Sequence, residues 1–448
     1  MPRVVAWSCV VLFFCAGGVA AADPVAATRG KAALEGTAFI RAFWPSFGYA
    51  EAWRAWGVSE KPAGYDAAFR ERYGLHPAPY PNDGLPMGLR KADYLFTKGI
   101  GIDCMVCHGG SILGKSIVGL GNTSLDIHSL FEELYAASRT PTRVPFAFCQ
   151  ARGTSEAGAF SVYLLGFREP DLTLTHKFRD LGLKDDACED VPAWWLLKKK
   201  KTMYYVGATD ARSVRSMMQF MMHPLTTRGD FERAEPAFRD VLQYLLSMEP
   251  PKYPFPVDAK KATAGKVVFG EHCAKCHGTY GERWTYPNKI VPLAEIGTDP
   301  KRYENIGPAF GAAYAESWFA KEKAGGWFLP GQPLKLTAGY QAPPLDGVWA
   351  TAPYFHNGSV PTLDGVLNSR ARPKVFTRSF GTGADDYDRE RVGWKVREVS
   401  PPPATMSDID RRRVYDTTRP GRGNAGHTYG DDLAPDERAA VIEYLKTL

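Results

Sequence analysis

Cys104-Met105-Val106-Cys107-His108 returns 169 residues later as Cys273-Ala274-Lys275-Cys276-His277. The Cys-x-x-Cys-His order places two thiols and an imidazole on one turn of chain. The thiols can form thioethers with the two vinyl groups of a single porphyrin, and the histidine then falls beneath the iron as its proximal ligand. A zinc site would need two further ligands at comparable spacing, and no second Cys-x-x-Cys lies near either motif. The reading is therefore two covalently attached c-type haems, one on Cys104, Cys107 and His108, the other on Cys273, Cys276 and His277.

Working outward, each motif is followed by a similar segment. Val241-Leu242-Gln243-Tyr244-Leu245-Leu246-Ser247-Met248 and Val441-Ile442-Glu443-Tyr444-Leu445-Lys446-Thr447-Leu448 share one pattern. Both read as the last turns of amphipathic helices, with Pro236 and Pro435 suited to first turns. Pro250-Pro251-Lys252-Tyr253-Pro254-Phe255-Pro256 cannot continue a helix and reads as an extended linker. The expected organisation is a unit over residues 23–250 with a wrapping extension, then a second unit over 257–448. Lys260 to Gly270 reads as a helix before the second motif, and Lys91 to Phe96 as its counterpart before the first. Residues 23–90 lack clear periodicity and are expected to wrap the first unit. The fold class is mainly α: two cytochrome c-like haem domains with large loop insertions and little β structure.

Composition agrees with a globular chain. Of 448 residues, 44% are hydrophobic and 12% aromatic, whereas 34 prolines and 44 glycines call for long irregular connections. Residues 1–22 read as a signal peptide: Arg3 starts it, Val4 to Phe14 is apolar, and Ala20-Ala21-Ala22 suits cleavage. The expected location is periplasmic or secreted, with no membrane span. The mature chain would keep six cysteines and a formal charge of +5. Two of those six, Cys149 and Cys188, lie outside the motifs and are expected to pair as a disulfide in an oxidising compartment. The mild charge gives no reason to expect nucleic acid. The run Lys198 to Lys201 reads most simply as a solvated face.

What such irons do depends on the ligand opposite the proximal histidine. His427, in the glycine-rich Gly423-Asn424-Ala425-Gly426-His427-Thr428-Tyr429-Gly430, is the favoured second ligand for the haem at His277, with His356 in Tyr354-Phe355-His356-Asn357-Gly358 as the alternative. For the haem at His108, Met217-Met218-Gln219-Phe220-Met221-Met222-His223 offers ligands and apolar cover, and the preferred reading is a pocket walled by these residues around an exchangeable position. Trp194-Trp195 reads as core in preference to an electron path.

The stretch from Gln341 to Leu363, including Ala352-Pro353-Tyr354-Phe355-His356-Asn357-Gly358, resembles the dihaem cytochrome c peroxidase and MauG superfamily. Through Arg372-Pro373-Lys374-Val375-Phe376, Ile296-Gly297-Thr298-Asp299-Pro300 and Gly426-His427-Thr428-Tyr429-Gly430 it is most similar to the rubber-oxygenase (RoxA-like) branch. That resemblance implies an oxygen-binding amino-terminal haem at His108 and a bis-histidine carboxy-terminal haem at His277, and it favours His427. It places Phe220 as a catalytic distal-pocket residue by position. Val366 to Arg372 lacks the methionine that peroxidases use there, and the chain is shorter than known rubber oxygenases, so cleavage of polyisoprene does not follow. The expected function is a dihaem oxidoreductase acting with oxygen or peroxide. The alternatives are a peroxidase with an external electron donor and a non-catalytic electron carrier. Expected partners are a small electron-transfer protein or a small, including hydrophobic, molecule.

Overall fold

A computed structural model describes residues 22–140, 142–148, 150–184, 187–322 and 337–448. The proposed leader and Cys149 lie outside these residues; Cys188 is fully buried beside Ala151, Phe376 and Tyr415. Helices outweigh strands, and the strands form only two three-stranded and four two-stranded sheets among the described residues. The fold is mainly α with little β structure. No described helix is long and apolar enough to cross a membrane.

The framework is a pair of crossed helices that occurs twice. The Pro24–Gly36 helix packs on Arg228–Ser247, and Ala259–His272 packs on Pro435–Leu445. Each pair meets at a glycine because the backbones touch. A Cβ on Gly30 would lie 2.0 Å from the Asp240 carbonyl oxygen, and one on Gly265 would lie 1.9 Å from that of Ala440. The capping repeats as well. The Asp23 carboxylate caps the first helix of one pair, and its own amide donates to Gln243 Oε1 at 3.0 Å. The Asp258 carboxylate caps its counterpart, and its amide donates to Glu443 Oε2 at 2.9 Å. Side-chain acceptors at these positions satisfy amides that a helix start leaves unpaired.

This repeat corrects two expectations. Residues 24–36 do not wrap the first unit but supply its entering helix. Leu89–Tyr94, where Lys91 to Phe96 was expected to be helical, is a strand paired antiparallel with Thr97–Ile102. Its alternating burial along Arg90 to Asp93 is that of a half-exposed strand. Cys273 follows Gly265 by eight positions, whereas Cys104 follows Gly30 by 74, so the long insertion in the first half precedes its motif. Pro236 also lies inside a helix and not at its first turn: the helix starts at Arg228, capped reciprocally by Thr227 and Asp230. Pro236 and Glu232 are both exposed, so water can serve the carbonyl that the proline leaves without a partner.

The two halves are tied directly. Trp195 Nε1 donates to the Asp346 carbonyl at 2.8 Å, and Lys199 Nζ pairs with the Asp346 carboxylate at 2.7 Å. Trp195 and Leu196 share one apolar cluster with Val348, Trp349 and Val441. Gln341 donates to the backbone carbonyl of Thr202 and, at 2.7 Å, to its hydroxyl. The Lys198 to Lys201 run is therefore not a single solvated face. Lys199 lies over the Tyr280 and Trp284 rings, Lys200 is buried, and Lys198 and Lys201 turn outward.

Candidate haem sites

The first motif occupies a short helical turn, Met105–His108, whose entry is fixed by a buried ion pair. Asp103 accepts the Met105 amide at 2.8 Å and the Arg90 guanidinium at 3.0 Å. Arg90 also donates to the carbonyls of Leu34 and Glu35, which anchors the motif to the end of the Pro24–Gly36 helix. His108 stacks on Trp194, ring centres 4.7 Å apart and planes inclined at 25°. Burial lowers its basicity to about 4. A neutral imidazole is the form that ligates metal.

Cys104, Cys107 and His108 line a cavity of about 530 Å³, within the range of small-molecule and cofactor sites. Phe220, Gln219 and Met217 line it too, whereas Met218, Met221 and Met222 are buried in the core. His223 packs against Phe43 with ring centres 4.6 Å apart and planes inclined at 59°, and its Nδ1 accepts the Leu225 amide at 3.1 Å, so it serves the packing. The cavity is closed in part by Phe310 and Tyr314 of the Pro308–Glu316 helix, which comes from the second half of the chain.

At the second motif, His277 Nδ1 donates to the Pro343 carbonyl at 2.8 Å. That bond fixes the ring and leaves Nε2 free to face a metal. Opposite it stands His427, with ring centres 6.3 Å apart and planes inclined at 64°. One metal ion held between two imidazoles needs about 6 Å between ring centres, from two bonds of ~2 Å plus the distance from each nitrogen to its ring centre. His427 has a buried Nδ1 with no hydrogen bond of ordinary geometry, and burial lowers its basicity to about 4, with the neighbouring His277 adding to the effect.

The His427 loop is braced for this position. Its amide donates to the Ile296 carbonyl at 2.7 Å, and Arg372 donates to the carbonyls of Asn424, Gly426 and His427. Gly426 has φ +75°, and a Cβ there would lie 2.4 Å from the Ile296 oxygen, so no other residue fits without moving backbone. His356 is placed differently: it stacks on Tyr340 at 4.0 Å, and its carbonyl accepts the Asp190 amide.

The thiols argue against a redox dithiol. Burial pushes Cys104 up to about 12 and Cys107 and Cys273 up to about 11, whereas exchange chemistry needs an accessible, acidic thiol. Among the described residues, no cluster of three or more His, Cys, Asp and Glu side chains is placed to hold a metal ion by itself. The residues fit haem c: two thiols and a histidine on one turn, beside a cavity at the first motif and opposite a second imidazole at the other.

Reading the residues alone did not single out Asp103 and Arg90, Trp194 as the ring against His108, or Arg372 as the brace of the His427 loop. The one signal available was charge: Arg90 and Asp103 carry opposite signs on the stretch that leads into the first motif.

Residues 339–377 match the family model described as RoxA-like, cytochrome c-like. A domain of that kind implies covalent haem c and a haem-containing oxidoreductase. The uncharacterised protein y4iJ of Sinorhizobium fredii (strain NBRC 101917 / NGR234) is 30% identical over 264 residues, 45% of this chain and 41% of its own length. The uncharacterised protein y4iM of the same strain is 28% identical over 294 residues, 58% of this chain and 64% of its own length. The chain thus spans less than two thirds of either relative. Kuenenia stuttgartiensis hydrazine synthase, solved under 20 bar of xenon, aligns with 68% of this chain and 90% of its own at 14% identity. The TM-score of 0.24 carries no argument.

Proposed function

We propose that the chain is an exported dihaem c-type oxidoreductase in which the haem at Cys104, Cys107 and His108 reacts with oxygen or peroxide, while the haem at Cys273, Cys276 and His277 relays electrons. The observation that carries the reading is the difference between the two motif histidines. His277 faces a second imidazole at 6.3 Å, whereas His108 faces a cavity whose walls include Phe220, Gln219 and Met217. An iron with two strong protein ligands moves electrons, and one with an exchangeable position binds small oxidants.

Bound at these motifs, haem supplies the redox chemistry, and the chain supplies orientation, exclusion of water and the route between centres. Burial keeps both proximal imidazoles neutral, and the Pro343 carbonyl orients the ring of His277. Trp194 stacks on His108, Trp195 follows it in the chain, and the Trp195 indole donates to Asp346, three residues from Pro343. This gives a short packed connection from one proximal ligand to the other, through residues first read as core. The organisation into units over 23–250 and 257–448, and a periplasmic or secreted location, belong to the same proposal. So does the choice of partner, a small electron-transfer protein or a small, including hydrophobic, molecule.

The test is a haem count by pyridine haemochrome and intact mass on three proteins: wild type, Cys104→Ala/Cys107→Ala and Cys273→Ala/Cys276→Ala. The proposal expects two covalent haems in the first and one in each variant. A single haem in the wild type would overturn it. Consumption of peroxide with a reduced cytochrome donor, without an oxygenated form of the protein, would assign it to the peroxidase alternative.

A further inference from the structure

Resting on that reading, we propose that Lys200 is the counter-ion of a propionate of the haem held at Cys104, Cys107 and His108. Five cationic side chains among the described residues are buried: Arg90, Arg152, Arg168, Lys200 and Lys446. Four have partners in the chain. Arg90 pairs with Asp103, Arg152 holds the carbonyls of Ser124 and Glu71, Arg168 holds three carbonyls, and Lys446 pairs with Glu443. Lys200, 7% exposed, has neither an ion pair nor a side-chain hydrogen bond.

A buried ammonium without a partner is costly, and a chain retains one where an anion completes the site. Burial alone pulls Lys200 down to about 8, which measures how poorly its own surroundings support the charge. The cavity it lines is the one lined by Cys104, Cys107 and His108. Asp190 and Glu189 line it too, yet neither lies within ion-pairing distance of Lys200 Nζ, and Glu189 is engaged by Arg302 at 3.0 Å. The backbone of Lys200 is fixed, since its carbonyl accepts from Arg212 and its amide donates to Leu197. An anion inside this cavity, beside the thioether-forming cysteines, would complete the site. A haem carries two carboxylates on its edge. The shared chemistry is a carboxylate, which can come from the porphyrin or from a bound small acid.

Spectroelectrochemical titration of full-length wild type, Lys200→Met and Lys200→Arg distinguishes these. With a propionate partner, Lys200→Met keeps both covalent haems and lowers the potential of only the haem that responds to carbon monoxide, because a nearby cation favours the reduced state. Lys200→Arg restores the wild-type value. Unchanged potentials in a fully haem-loaded Lys200→Met protein would overturn the assignment. So would a wild-type spectrum that shifts on adding acetate, with the shift lost in Lys200→Met, since the lysine would then serve an external acid. Absence of haem at Cys104 and Cys107 in the wild type appears in the haem count beforehand, and it refutes the proposed function instead. Should Lys200→Met not fold, Lys200→Gln at neutral pH gives the same readout.

Discussion

His277 and His427 face each other with ring centres 6.3 Å apart, although 149 residues lie between them in the chain. Arg372 and the close approach of Gly426 to Ile296 hold the second ring in place before any cofactor is considered. Replacing His427 by Ala is expected to convert one haem from low-spin to high-spin while leaving both covalently attached. His356→Ala is expected to leave the spin state unchanged, since that ring is stacked on Tyr340. Electronic spectra and EPR of the two variants check this pair of outcomes.

The glycine crossings give a stability prediction that runs against helix propensity. Gly→Ala inside a helix ordinarily stabilises by up to about 1 kcal/mol. At Gly30 and Gly265 the added carbon would meet backbone at 2.0 and 1.9 Å, so each change is expected to cost about 1–3 kcal/mol through forced separation of the helices. Gly270 lies in the same helix as Gly265 with nothing within 4 Å, and Gly270→Ala should be neutral or stabilising. Urea unfolding midpoints of the three variants decide the matter.

Asp103 and Arg90 form a buried pair whose side chains are only 8% and 9% exposed. Asp103→Ala leaves the guanidinium uncompensated and frees the Met105 amide, so a loss of about 3–5 kcal/mol is expected. The haem yield at the first motif should fall while that at the second is retained. An Asp103→Ala protein as stable and as fully loaded as the wild type would remove this role.

Buried histidines set an acid limit. Burial lowers His76 and His223 to about 4 from the ordinary 6.5. As pH falls below about 6.5, the unfolded chain takes up protons that the folded chain refuses, so stability present above that value is lost progressively down to about 4. Stability measured by urea unfolding should therefore fall with pH across this window. His76 Nε2 donates one hydrogen bond to Asn122 Oδ1, which glutamine can retain, so His76→Gln should reduce the slope by about one proton. A slope unchanged in that variant would contradict the assignment.

Much of this was legible in the residues. Both motifs, the closing helices at Val241 and Val441, the helix from Lys260 and the mainly α class could all be read from short patterns. The Pro24–Gly36 helix was hidden because its buried stripe is Ala26, Ala27, Gly30 and Leu34, small side chains that give little amphipathic signal. The signal was there in another form. Ala27-Thr28-Arg29-Gly30-Lys31 and Ala262-Thr263-Ala264-Gly265-Lys266 share four of five residues, and in each the threonine hydroxyl donates to the carbonyl four residues back. The lysine run misled for another reason: only tertiary partners separate Lys199, drawn to Asp346, from Lys200, turned into the cavity. No local pattern contains that information.

The most direct test of unequal haems is EPR and visible spectroscopy of the as-isolated protein, before and after reduction under carbon monoxide. The account predicts one low-spin bis-histidine signal that ignores carbon monoxide and a second haem whose spectrum changes on its addition. Two low-spin signals, both indifferent to carbon monoxide and peroxide, would contradict it and leave the chain an electron carrier.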